Sequence, residues 1–401
     1  MKRRQFLKLM ILLSATVACL RKAGVAASQF PSEGRLPAEG RPTRVCLAGV
    51  ERGASPQILK SAVRAAAEAA TDFSWLSRGD AVFIKPALNS GSPYPATTSP
   101  EAIGAVVEIL KDKGARRVIV GDMCGIEHVK LSQEGLSGSS RRLMEVSGMA
   151  EAAEAAGAEI HFFEEYGWQA FYEDFPATGS HWKRGLMMPN ILKDVDHIIL
   201  MPRCSRHVLA GSTLGLKAAV GYWRTDTRLE YHRDAATFQE KTAEGNTVET
   251  LLKKQRMVLS AADKILTTFG PDKGLVFQPE IGLVIASESV VAHDMVSLAW
   301  LMENRSSVPS SEKEGFKDPY GSQWMVSAAN HWVVNRLGSL GQAFDSEKLT
   351  RNDIDTVWDD RVLNRAYQVF GNMPAVVLEA ANDVLPQALK RRLAECTTPP
   401  A

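Results

Sequence analysis

Residues 81–122 read AVFIKPALNSGSPYPATTSPEAIGAVVEILKDKGARRVIVGD. The apolar run AVFIKPAL (81–88) is bounded by turn residues and predicts a strand, and RRVIVGD (116–122) predicts another. Between them SPEAIGAVVEILKDKG (99–114) places apolar residues at helical spacing. Thr98 or Ser99 supplies its start and Gly114 its stop. A strand, a helix and a strand in succession are the alternation for which a mainly parallel sheet is the economical fold.

The same alternation extends in both directions. RVCLAGV (44–50) predicts a strand and PQILKSAVRAAAEAA (56–70) a helix; SRRLMEVSGMAEAAEAAG (140–157) predicts a helix and AEIHFFE (158–164) a strand. Further on, HIILMP (197–202) is a predicted strand, STLGLKAAVGYW (212–223) a helix and VETLLKKQRMVLSAAD (248–263) a longer helix. KILTTF and IGLVIAS follow as strands and SVVAHDMVSLAWLMEN (289–304) as a helix. The segment 165–195 is aromatic and irregular and predicts no element. Repeated alternation predicts an α/β fold, a mainly parallel doubly wound sheet with helices on both faces and, from about residue 306, a helical C-terminal extension. The expected organisation is a leader at 1–27, a Pro/Gly-rich linker at 28–43, the α/β core at 44–305 and the extension at 306–401. Ligands of such sheets gather at the C-terminal ends of the strands.

The 401 residues are 45% hydrophobic and 23% charged with a formal net charge of +1, which gives no global reason to expect nucleic acid or an anionic membrane as a partner. Lys2 to Lys8, KRRQFLK, precedes the apolar run Leu9–Leu20 and then small residues. That run is too short to span a hydrocarbon core of roughly 30 Å. It reads as the core of a signal peptide, with cleavage after Val25-Ala26-Ala27 and a mature chain beginning at Ser28. Arg3 and Arg4 followed by Phe6, Leu7 and Lys8 resemble the twin-arginine export pattern, which Arg21 and Lys22 also suit. The expectation is an exported, periplasmic protein that meets the twin-arginine machinery and has no stable membrane span after cleavage. The alternatives are a basic amphipathic start that stays on and a weaker lipobox at Thr16-Val17-Ala18-Cys19.

Cys46, Cys124, Cys204 and Cys396 remain after cleavage and include no C-x-x-C pair. Ferredoxin-type iron–sulfur and zinc-knuckle spacings are therefore missing, and the cysteines read as buried thiols, with one or two disulfides open to an oxidising compartment.

The residues that can carry chemistry cluster after two strands. Lys85 ends the first, and the loop headed by Asn89 offers amides and hydroxyls before a helix N-terminus, a setting that favours anions. Arg203 and His207 leave HIILMP in the same way, and Lys217 follows one helical turn after Thr213, with Arg224 further on. GSTLG is no G-x-S-x-G elbow and GSTLGLK no P-loop. Asp122, His128, His232, Asp263, His293 and Asp294 are the remaining acid and imidazole candidates. There is no H-x-H or H-E-x-x-H pair, so a metal would need ligands from separate strand ends. Each of these residues also has a structural reading: a lysine snorkelling beside a capped helix, an ion-pair network, an Asp held by a helix dipole.

The order IKP, TTSPEAIGAVVEILKDKGARRVIVGD, DHIILMPRCSRH, STLGLKAAVG, VVAHDM resembles the domain of unknown function family 362 from about residue 44 to 304. By position the resemblance retains Lys85, Pro86, His207, Lys217 and Asp294. It puts Arg203 and Ser205 where the family favours lysines, and Ala87 and Ala218 where it favours asparagine. The ferredoxin-like segment through which some members hold iron–sulfur clusters is not in this chain.

Three functions follow from these residues. The first is an exported enzyme whose basic pocket, Lys85, Asn89, Arg203 and Lys217, orients the carboxylate or phosphate of a small anionic molecule. In it His207 would act as general acid or base, and Asp294 would orient His207 or hold a metal. The second is an exported cofactor-binding or assembly protein without catalysis, its cofactor unspecified. The third is a relative whose retained residues serve only the fold.

Overall fold

The computed structural model describes residues 39–268, 270–309 and 323–400. The predicted leader and the first part of the predicted linker lie outside the described residues. Residues 39–43 do not behave as linker, because they belong to the first strand.

Eight strands form the main sheet: β1 (Glu39–Glu51), β2 (Ala81–Pro86), β3 (Arg117–Asp122), β4 (Glu159–Phe162), β5 (His197–Met201), β6 (Gln255–Ala262), β7 (Ile281–Ser287) and β8 (Met373–Ala380). Their order is β8-β1-β7-β6-β5-β2-β3-β4. Only β7 runs antiparallel to its neighbours β1 and β6; every other pairing is parallel. The expected mainly parallel α/β sheet is therefore the fold, and the ends of β2, β3 and β5 share one edge.

Strand periodicity feeds two cores. Val45 and Leu47 of β1, with Leu283 and Ile285 of β7, pack on one face, while Cys46, Ala48, Val284 and Ala286 pack on the other. Helices α1 (Pro56–Ala70) and α2 (Pro100–Asp112) cover the second face. Helix α2 starts as its sequence predicts: Ser99 Oγ accepts from Ala102 N at 3.2 Å and Pro100 occupies the first turn.

The segment around Lys217 is less regular than predicted. Gly211–Thr213 is a strand, antiparallel to Ser205–His207, and only Gly215–Ala218 (α3) is α-helical before the tight turn Ala219–Tyr222. The helix α4 (Thr225–Arg233) follows, and α5 (Val290–Ser307) packs on the first core with the helix Arg361–Val369.

Four further predictions change. The helix predicted at 248–263 ends at Lys254, and the rest is β6, a buried strand. A short apolar run buried on both faces carries no alternation to separate it from a helix. The helix at 140–157 breaks at Gly148, where φ is 80°, into Ser140–Val146 and Met149–Ala155. Of the described part of KILTTF, residues 264–268, only Ile265–Leu266 is a strand, and Phe269 lies outside the described residues. The C-terminal region is not helical throughout, since β8 completes the main sheet beside β1; its Pro374 suits an edge strand, where a missing N–H costs nothing. Residues 171–174 and 186–189, in the segment without a prediction, form a hairpin.

All four cysteines of the described region are free, three of them buried. Among the described residues no helix is long and apolar enough to cross a membrane.

One ion pair ties the sheet edge together. Lys85 at the end of β2 and Asp122 at the end of β3 are 1% and 2% exposed, and their Nζ and Oδ1 lie 2.9 Å apart. Asp122 also accepts from Leu88 N at 3.0 Å and Met123 N at 2.8 Å, and Lys85 Nζ donates to Pro86 O at 2.9 Å. Burial lowers the Lys85 ammonium pKa and raises that of the Asp122 carboxyl, while their mutual attraction opposes both. Gly221 lies against the pair: a Cβ there would sit 2.2 Å from Lys85 Nζ and 2.3 Å from Asp122 Oδ1. Asp122→Ala strands a buried ammonium and is expected to cost about 3–5 kcal/mol in urea unfolding. Gly221→Ala should also lower the urea midpoint, because either the pair or the turn must move. A loss below about 1 kcal/mol for Asp122→Ala would show that Lys85 has another partner.

Candidate functional site: a cationic crevice at the strand ends

The turn after α3 packs through Gly221 on Lys85 and Asp122 at the ends of β2 and β3, and α4 reaches the same place through Arg228, whose guanidinium donates to Met123 O and Gly221 O. Arg203 is fully buried and donates Nη1 to Ala96 O. The Asn89 amide, with its oxygen turned toward Arg203, accepts from Nη1 at 3.0 Å and from Nη2. No carboxylate forms an ion pair with Arg203 among the described residues; Asp272 attracts it from further off, and burial brings its pKa down to about 10.

His207 is partly exposed. Its Nδ1 accepts from Leu209 N at 3.1 Å and Ala210 N at 3.2 Å, which puts the proton on Nε2. Burial, reinforced by Lys217, Arg203, His232 and Arg206, holds its pKa well below the ordinary histidine value. The ring is therefore a neutral hydrogen-bond donor through Nε2.

Lys217, also partly exposed, forms no hydrogen bond or ion pair through Nζ among the described residues. Its ammonium lies 5.6 Å from the Tyr231 ring centroid. Burial, with repulsion from Arg228, Arg203 and Lys85, brings its pKa down to about 7. A small cavity beside it is lined by Asp294 and Asp360, neither of which pairs with it.

Two further side chains complete the crevice, both from α4. Arg228 donates to Cys124 O at 2.7 Å, Met123 O at 2.8 Å and Gly221 O at 2.9 Å, and among the described residues it pairs with no carboxylate. His232 Nδ1 faces Asn330 Oδ1 at 2.8 Å, and burial brings its pKa down to about 3. The residues of α4 are mostly polar and mostly buried. Sequence gives no sign of that burial, so Arg228 was not among the candidates, whereas Asp122 and His232 were.

The other candidates lie apart from this group or serve the backbone. Asp294 caps α3, accepting from Gly215 N at 2.8 Å and Leu216 N at 2.7 Å, and His293 Nδ1 is 2.9 Å from its Oδ1. Ser260 Oγ lies 3.0 Å from His293 Nε2, which gives the hydrogen-bond order of a hydrolytic triad. Ser260 and His293 are nevertheless fully buried and both Asp294 oxygens are engaged, so the group is a structural network. Arg224 pairs with Asp226 and stacks on Trp168 at 4.1 Å. Asp263 accepts from Tyr94 Oη at 2.7 Å.

For a metal, one group of three residues among those described has ligand atoms within 4.8 Å of one another: Glu127, His128 and Asp272. Asp294 and His207 are not part of it.

Among the described residues the crevice thus collects Lys85, Arg203, Lys217 and Arg228 against one directly paired carboxylate, Asp122. Such an arrangement can hold negative charge, and it presents an amine and a neutral imidazole donor at its opening.

Comparison with known proteins adds the following. The profile of the family described as Domain of unknown function (DUF362) matches residues 82–299, more than half of the chain. A crystal structure of a protein from Thermotoga maritima is 12% identical, with a TM-score of 0.37 over 59% of this chain and 56% of that one. The lactate racemase apoprotein from Thermoanaerobacterium thermosaccharolyticum is 11% identical, with a TM-score of 0.35 over 61% of this chain and 54% of that one. The chain therefore spans little more than half the length of each of these proteins. No curated protein matches it. The matched stretch contains β2, β3, the crevice and its cations, and the chain belongs to the domain of unknown function family DUF362.

Proposed function

We propose that this protein is exported and binds a small carboxylate or phosphate in the crevice. The observation that carries the anion reading is the imbalance of charge: three buried cations, Lys85, Arg203 and Arg228, and the partly exposed Lys217, of which among the described residues only Lys85 has an ion-paired carboxylate. An unpaired ammonium such as Lys217 destabilises the empty protein, and an anion removes that cost on binding. His207 supplies a neutral Nε2–H donor, suited to orienting an oxygen, and Asp294 positions Lys217 by holding the turn that carries it. The export reading rests on Arg3, Arg4 and the apolar run that follows. The alternative is a carrier of a metal-bearing cofactor without catalysis, drawing on Glu127, His128 and Asp272; metal analysis of protein isolated from the exported fraction separates the two.

Inorganic phosphate or a small dicarboxylate is expected to raise the melting temperature where chloride at equal ionic strength does not; at a hundred times Kd the gain is about 2.7 kcal/mol. Lys217→Met should abolish that shift while leaving the unliganded protein at least as stable at neutral pH. A large loss of stability in Lys217→Met would make the residue structural.

The folded pKa of Lys217, about 7, lies below its ordinary 10.5. Between these values the unfolded chain binds more protons than the folded one, so this residue makes stability rise with pH across the window. Below it the full cost of the charged amine is present. Urea unfolding from about pH 7 to 10 should show that rise, and Lys217→Met should flatten it. Replacing Arg3 and Arg4 together by lysine should leave an unprocessed chain in the cytoplasmic fraction, whereas unchanged processing would contradict twin-arginine export.

A further inference from the structure

Anion binding needs charge at Lys217 but makes no use of its lone pair, and the surroundings of Nζ favour that lone pair. Among the described residues no acceptor holds the amine as ammonium, and the one contact that favours its charge is the face of the Tyr231 ring, 5.6 Å from Nζ. The charged and titratable groups around it are Arg228, Arg203, Lys85, His207 and His232, with Asp294 and Asp360 across the small cavity. Three permanent or paired cations surround an amine that can give up its proton, so Lys217 is the group that goes neutral. A lysine crowded by other cations in a desolvated pocket is the usual form of an amine nucleophile. The partial exposure of Lys217 and His207 leaves a way in.

We propose that Lys217 forms an imine with the carbonyl carbon of a small 2-oxo carboxylate, whose carboxylate is drawn in by the field of Arg203, Arg228 and Lys85. The proposal rests on the anion site described above and names its substrate class. In the first step the Nζ lone pair forms a C–N bond, the carbonyl π pair moves to oxygen, and one amine proton passes to that oxygen. In the second step the carbinolamine loses its hydroxyl with the remaining amine proton as water, leaving the C=N bond. Both amine hydrogens leave with the carbonyl oxygen, and no oxidant or reductant takes part. The low pKa of the amine supports this, since at about pH 7.5 an ordinary lysine is neutral in roughly one molecule per thousand.

The test is reductive trapping on the intact purified chain. Glyoxylate and sodium cyanoborohydride are added at about pH 7.5, and adducts are mapped by peptide mass spectrometry. Lys217 should be labelled at least about tenfold faster than any other lysine, and inorganic phosphate should protect it. Acetaldehyde, a carbonyl without a carboxylate, should label it at least about tenfold more slowly than glyoxylate. A phosphate thermal shift with no adduct at Lys217 overturns the imine and leaves the anion site standing. Absence of both the shift and the adduct overturns both. Equal labelling by acetaldehyde overturns the carboxylate requirement. Lys217→Arg should lose the adduct, and because protection by phosphate is read on the unsubstituted chain, the result does not depend on that variant folding.

Discussion

The buried pair between Lys85 and Asp122 is the constraint on which the rest of the site depends. Two charges removed from water at the ends of neighbouring strands tolerate little displacement, because either one alone is costly. Asp122 uses its remaining capacity on Leu88 N and Met123 N, which fixes the chain as it leaves both strands. The turn Ala219–Tyr222 then packs on the pair through Gly221, the one residue type without a Cβ to collide with it. That contact sets the turn between α3 and α4, and with it the places of Lys217 and Arg228.

Elsewhere this protein neutralises covered cations with acids. Lys241 lies 3.7 Å from Glu230 and 3.6 Å from Asp234, Arg365 lies 2.7 Å from Glu244, and Arg361 lies 2.7 Å from Glu240. In the crevice the same problem is left unsolved among the described residues: Arg228 rests on three carbonyls, Arg203 on a carbonyl and an amide, and Lys217 on no polar group. A network selected for stability would include the missing carboxylates. Groups poised for a ligand depart from that rule, since the residues of a binding site are commonly held at some expense of stability.

The fold was largely legible because its strands and helices announce themselves by period and by punctuation. Ser99, Pro100 and Gly114 mark α2 as plainly in the sequence as in the structure. Legibility failed where burial overrides pattern: β6 has no alternation, β8 is an edge strand in a helical setting, and α3 starts only at Gly215, where Asp294, some eighty residues away in sequence, captures its first amides. Lys85, Arg203, His207 and Lys217 stood out as basic residues that follow apolar strands in the sequence, His207 being neutral in the structure. Arg228 did not stand out, because a polar helix looks solvent-exposed until its neighbours are known. Asp294 stood out for chemistry, and its contacts are those of a helix cap.

The charge state of Lys217 tests the central claim most directly. Reductive methylation with 13C-labelled formaldehyde makes each lysine visible by NMR, and the Lys217 signal is identified by its loss in Lys217→Arg. The account predicts that this signal titrates near 7 in the free protein and moves upward when phosphate is added. A Lys217 signal that titrates in the ordinary lysine range, about 10.4, and ignores phosphate would contradict it.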